Sequence, residues 1–139
     1  MEGVTGLYNT NYEGKAQAAI DALKGGAEFV YIHIEASDEA GHEGDVALKI
    51  KTIEYLDSRI VKPIMEAAQE MDEPLAIGIL PDHPTPCELR THTHDAIPFI
   101  IFRPGDKEDD VEKYDEESAK SGSYGILKGN EFIKALLGI

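Results

Sequence analysis

The stretch EFVYIHIEASDEAGHEGD, Glu28 to Asp45, decides the fold. Its first half, EFVYIHIE (Glu28–Glu35), is dense in β-branched and aromatic residues and reads as a β-strand. Its second half sets an aspartate and a histidine, Asp38 and His42, four residues apart where that strand runs out. Before it, Gly3, Gly6, Asn9 and Asn11 mark a loop. From about Tyr12 the pattern turns helical, with Ala16, Ala19, Ile20 and Leu23 on one face, and Gly25 and Gly26 close the helix. After it, about Gly44–Met71 predicts a long helix in which Leu48, Ile53, Leu56, Ile60, Ile64 and Ala67 recur at helical spacing. Pro63 should bend or split that helix near Val61.

Two further strands follow. PLAIGIL (Pro74–Leu80) is apolar throughout, which suggests burial on both faces, as in parallel sheets. IPFIIF (Ile97–Phe102) is the other. The acidic connection Gly105–Gly125 reads as a solvated loop, because like charges repel and stay wet. The chain closes with NEFIKALLGI, where Asn130 is the expected N-cap and Phe132, Ile133, Leu136 and Leu137 the buried stripe. Helices alternating with strands give an α/β layer architecture. Three strands are few for a sheet covered on both faces, so either the sheet is small or part of it lies outside this chain.

Composition narrows the function. A chain of 139 residues and 15.2 kDa is one ordinary domain with room for a core. Hydrophobic residues at 42% with charged residues at 29% mark it as globular. The formal net charge of −14 excludes a nucleic-acid footprint and concentrates cations near the surface. The single cysteine, Cys87, leaves no internal disulfide, which fits a reducing cytoplasm. No leader pattern follows Met1 and no apolar run approaches a membrane span, so the expectation is a soluble, cytoplasmic protein with no membrane partner.

The histidines gather at strand ends, where open α/β sheets bind ligands. If DEAGH forms a helical turn, Asp38 and His42 project from one face and can share a divalent metal, or they form a surface hydrogen-bonded pair. Asp82 and His83 end the second strand in PDHPTP, framed by Pro81, Pro84 and Pro86; the bland reading is a plain turn. His92 and His94 precede the third strand in RTHTHDAIPF. The short proline-rich connection has no room for a helical crossover, so the chain must fold back there, bringing His92 or His94 toward Asp82 and His83. His33, inside the first strand, reads as a sheet-face residue without a role. Carboxylates and imidazoles suit Mn²⁺, Zn²⁺ or Fe²⁺. Two Asp–His pairs at neighbouring strand ends suggest two ions, at the spacing of about 3.5–4 Å found in two-metal phosphoryl-transfer sites.

The strings EASDEAGHEGD, PDHPTP and RTHTHDAIPF resemble the three metal motifs of the alkaline phosphatase superfamily. The nearest likeness is to archaeal-type, cofactor-independent (2,3-bisphosphoglycerate-independent) phosphoglycerate mutases. TNYEGKAQAAIDAL and SGSYGILKGNEFIKALLG resemble that family too, so the likeness covers nearly the whole chain. It implies a partial alkaline-phosphatase-like sheet, mostly parallel, with helices on its faces. It implies interconversion of 3-phosphoglycerate and 2-phosphoglycerate through a phosphoserine at two divalent ions, manganese first, with Zn²⁺, Co²⁺ and Mg²⁺ as the other candidates. Asp38, His42 and His92 match the positions that bind one ion, Asp82 and His83 positions for the second, and His94 a non-ligand neighbour.

The family completes the second ion with an N-terminal aspartate and the nucleophilic serine, both upstream of anything that resembles this chain. The substrate-binding insert lies upstream as well. Residues 1–139 are therefore expected to be the C-terminal part of the metal-binding domain, with no catalytic nucleophile of their own. Ser37 beside Asp38 is a poor substitute, since no base is placed to activate it. The first ion should bind better than the second, and the chain alone should be inactive and self-associating. The alternatives are another phosphatase or phosphonate hydrolase of the superfamily, a non-catalytic metal-binding remnant, and an acidic α/β domain with incidental histidines.

Overall fold

A computed structural model describes residues 2–139, so the start at Met1 lies outside the described residues. The chain forms two compact units. One comprises the sequence up to Asp72 with Thr85–Thr93, and the other Glu73–Pro84 with His94–Ile139.

The first unit is helical. α1 (Tyr12–Lys24) starts at Asn11, whose side chain accepts the Gly14 N–H, and stops at Gly25. α2 (Ala36–Glu43) carries Asp38 and Glu39 in its first turn and His42 in its last, the order that complements a helix dipole. It ends at Gly44, which takes the left-handed conformation with φ 73°. Asp45 then caps α3 (Val46–Leu56) by accepting the Leu48 N–H. The break foreseen at Pro63 takes the form of a π turn, Asp57–Val61, before α4 (Lys62–Ala68). Proline offers no N–H, and its ring crowds the carbonyl four residues back. The Lys62 N–H accordingly bonds Asp57 O, five residues back, which widens the helix for one turn.

Tyr12, Ala16, Ala19, Ile20, Ala36, Ala40, Ile60 and Ile64 form the core of this unit. Arg59, delivered by the π turn, donates to both Glu13 carboxylate oxygens at 2.5 and 2.7 Å. Its guanidinium lies 4.6 and 4.8 Å from the ring centroids of Tyr12 and Tyr55. Ile53, expected on the buried stripe, is exposed. The fully buried residue of α3 is Thr52, whose hydroxyl bonds Lys49 O within its own helix and so needs no outside partner.

The expected first strand, Glu28–Glu35, is not a laddered strand. It keeps the alternation of one: Val30, Ile32 and Ile34 are half-buried, while Phe29, Tyr31, His33 and Glu35 are exposed. A strand exists only through hydrogen bonds to a neighbour, and no other strand pairs with this segment among the described residues. Lys15 Nζ donates to the His33 carbonyl at 2.9 Å.

The second unit holds β1 (Ile77–Ile79) and β2 (Ile100–Phe102), paired antiparallel with Gly78 opposite Ile101. The mostly parallel sheet is thus not seen among the described residues. The fold-back forced by the short connection decides the pairing, and the apolar run of β1 reflects cover by α5 (Glu131–Leu137). A Cβ at Gly78 would press on Phe132 and Leu136 of α5, so the glycine admits that helix. Leu137, expected in the stripe, is exposed, and the Asn130 side chain makes no capping bond although it stands at the N-cap. Arg103 donates to the Ala135 and Leu136 carbonyls at the helix end. The acidic connection is held in turns. Asp109 accepts from Val111 and Ser123 N–H, and Asp115 from Glu117 and Ser118 N–H. These bonds hold both carboxyls below the usual aspartate range. The Ser118–Ser121 segment is a 3-10 turn.

Candidate metal centre

α2 begins directly after Glu35, so Asp38 and His42 stand one turn apart on the same face. The third donor arrives from the excursion Thr85–Thr93. His42 Nε2 lies 3.5 Å from Asp38 Oδ2, His92 Nε2 lies 3.4 Å from Asp38 Oδ1, and the two Nε2 atoms are 3.0 Å apart. Bonds of about 2.0–2.2 Å to a tetrahedral ion put its ligand atoms roughly 3.3–3.6 Å from one another. The donor set therefore fits a first-row divalent cation with little rearrangement. Among the described residues it is the one group of three histidine, cysteine or carboxylate donors close enough to do so.

The orientation of His42 is set by the backbone. Its Nδ1 lies 3.1 Å from Arg90 O. A carbonyl only accepts, so this contact uses a protonated Nδ1 and leaves Nε2 as the nitrogen that could ligate an ion beside Asp38 and His92. Arg90 has φ 54°, left-handed for a non-glycine residue, at the close of a turn in which its N–H bonds Pro86 O. Its side chain crosses the end of α2, where a Cβ on Gly44 would press on the guanidinium. The glycines in EASDEAGHEGD thus have a physical meaning. Gly44 ends the helix and admits Arg90, and Gly41 lets the Thr85 backbone touch α2.

Thr85 is 4% exposed, and its hydroxyl donates to Asp38 Oδ1 at 2.5 Å. Lys49 Nζ, from α3, donates to Thr85 O at 2.5 Å. Sequence reasoning passed over Thr85, Lys49 and the Arg90 carbonyl. The threonine sat inside PDHPTP, yet a hydroxyl beside two stronger ligand types carries no signal of its own.

Asp82 and His83 belong to the second unit, just beyond β1. The imidazole Nε2 stands 3.4 Å from Asp82 Oδ2, while Oδ1 accepts the His83 backbone N–H at 3.0 Å. The two side chains thus keep a carboxylate and an imidazole together at a bend in the chain. His33 is exposed, stacks on Tyr31 and lies 3.7 Å from Glu35. Among the described residues, no helix is long and apolar enough to cross a membrane.

Comparison with known proteins supplies the frame. The signature of the Metalloenzyme superfamily matches residues 1–136. A 2,3-bisphosphoglycerate-independent phosphoglycerate mutase of Methanosarcina mazei is 53% identical over 138 residues, covering 99% of this chain and 34% of that protein. A probable enzyme of the same name from Geobacter sulfurreducens is 45% identical, again over 99% of this chain and 34% of its own length. A solved structure of a Pyrococcus horikoshii protein matches with a TM-score of 0.87 at 35% identity, covering 99% of this chain and 40% of that one. The chain spans about a third of the length of the curated relatives it matches.

Proposed function

Since the chain belongs to the Metalloenzyme superfamily, we propose that it is the C-terminal, metal-binding part of a 2,3-bisphosphoglycerate-independent phosphoglycerate mutase. The observation that carries this reading is the convergence of Asp38, His42 and His92, in a chain 53% identical to a protein of that name. The reaction would be exchange of the phosphoryl group between the 3- and 2-hydroxyls of glycerate through a phosphoserine, in the cytoplasmic reactions of glycolysis and gluconeogenesis.

Asp38, His42 and His92 would hold one divalent ion, manganese first, and Asp82 with His83 would contribute to a second. A bound ion supplies positive charge against the phosphoryl oxygens, where charge develops during transfer. The residues of this chain prepare that place. The Arg90 carbonyl fixes the tautomer of His42, Thr85 braces Asp38, and the acidic surface draws cations toward the site. The attacking serine and the glycerate-binding groups would come from sequence that these residues do not supply, so the 139-residue chain binds metal without turning over phosphoglycerate. The exposed Phe29 and Tyr31 on the unladdered segment Glu28–Glu35 give it a surface for self-association.

The test is made in the longer protein. Asp38→Ala and His42→Ala should each abolish mutase turnover measured by a coupled enolase assay and lower the bound manganese. Wild-type turnover in both variants would refute the assignment. Release of inorganic phosphate in place of isomerisation would instead identify a phosphatase built on the same ligands.

A further inference from the structure

We propose that Thr85 is a positioning residue for the Asp38 carboxylate, and that Lys49 holds Thr85 in place for that task; the proposal rests on the metal reading of Asp38, His42 and His92. The χ2 torsion of an aspartate is broad, so a carboxylate left to itself samples many orientations. Here one oxygen is occupied. Thr85 Oγ1 donates to Oδ1, and the Asp38 plane is thereby turned so that Oδ2 faces His42 and Oδ1 faces His92. A hydrogen bond to an ionised oxygen is about twice as strong as a neutral one.

The brace is itself fixed. Lys49 Nζ donates to Thr85 O from α3, and Gly41 presents bare backbone where any side chain would meet that same carbonyl. Thr85 is 4% exposed, so water does not compete for its hydroxyl. Three helical positions, Asp38, Gly41 and Lys49, therefore converge on one threonine that ligates nothing. Partners of this kind, one step behind a ligand, typically set metal affinity by a factor of about 10–100.

The experiment titrates the 139-residue protein and its variants with Mn²⁺ by calorimetry, and with Co²⁺ by visible absorption, which reports ligand geometry. Thr85→Val keeps the shape and deletes the hydroxyl; it should weaken Mn²⁺ binding by about 10–100-fold and alter the Co²⁺ spectrum. Thr85→Ser should restore both, because it restores the donor. Lys49→Met should move both in the same direction by less, and it carries the test if the valine variant fails to fold, as judged by circular dichroism without metal. Wild-type affinity and spectrum in Thr85→Val and Lys49→Met would overturn the positioning role and leave the metal reading standing. A serine variant as weak as the valine variant would overturn it too, in favour of packing by the methyl group. If the wild-type chain binds neither ion, the metal reading fails, and this proposal with it.

Discussion

Gly41→Ala sets two effects against each other. Alanine in place of glycine inside α2 gains about 1 kcal/mol of helix propensity. A Cβ at this position, however, would run into the Thr85 carbonyl oxygen, with Thr85 Cγ2 at 2.9 Å and Lys49 Nζ at 3.0 Å. The lysine end can swing away, but the carbonyl is backbone and cannot. Overpacking of this kind costs about 1–3 kcal/mol, so after the propensity gain the net loss should be about 0–2 kcal/mol. At about 4 °C per kcal/mol for a domain of this size, Tm without metal falls by no more than about 8 °C. The chain has a cheaper response, which is to lift Thr85–Thr93 off α2. That response spares Tm and removes His92 from Asp38 and His42. Either way manganese affinity should fall at least tenfold, measured by calorimetry beside the melting curve. An alanine variant that binds as tightly as wild type and melts higher would refute the argument that close backbone approach at Gly41 builds the site.

Other perturbations probe the frame around the site. Arg59→Met removes a bidentate pair to Glu13 and contacts with two tyrosine faces; both partners are partly solvated, so the loss should be about 1–2 kcal/mol by urea denaturation. Arg59 also holds the Glu13 carboxyl below the usual glutamate range, so this pair stabilises the fold above the unfolded glutamate pKa and stops doing so as pH falls through the lowered folded value. Acid titration should show that component in wild type and not in Arg59→Met. Burial pushes the Tyr114 phenol up to about 12, and its hydroxyl donates to Pro98 O. The unfolded chain therefore loses this proton first, and stability should decline as pH rises from 10 toward 12; Tyr114→Phe should flatten that limb and cost about 1 kcal/mol at neutral pH.

Local signals in the sequence predicted local structure well. Gly25 ends α1, Pro63 disrupts the long helix close to Val61, and Asp38 and His42 share a helical face. These features depend on neighbours within a turn or two, and composition reports them directly. The sheet was another matter. Two arguments about β1 pointed in opposite directions: an apolar run suggested parallel burial, and a short connection demanded reversal. Reversal won because chain connectivity is a hard constraint, whereas an apolar strand can be covered by one helix as easily as by two layers. Glu28–Glu35 has the alternation of a strand, but pairing requires a partner that its own residues cannot name. In the candidate site, the three donors were visible as residue types, while their supports were not. Thr85, Lys49 and the Arg90 carbonyl act through contacts made by unremarkable residues far away in the chain.

The route of the backbone has a consequence for folding. The chain leaves the second unit after Pro84, crosses to α2 through Thr85–Thr93, and returns at His94. His42 and His92 are 50 residues apart in sequence. A cation gripping both would tie these distant segments together in the folded chain and be released on unfolding. Such a staple is worth about 2.7 kcal/mol at a free-ion concentration about a hundredfold above Kd, in a chain whose lone cysteine, Cys87, cannot form a disulfide within itself. Metal supply would then govern how long the polypeptide survives unfolding and proteolysis, and not only what its site can do.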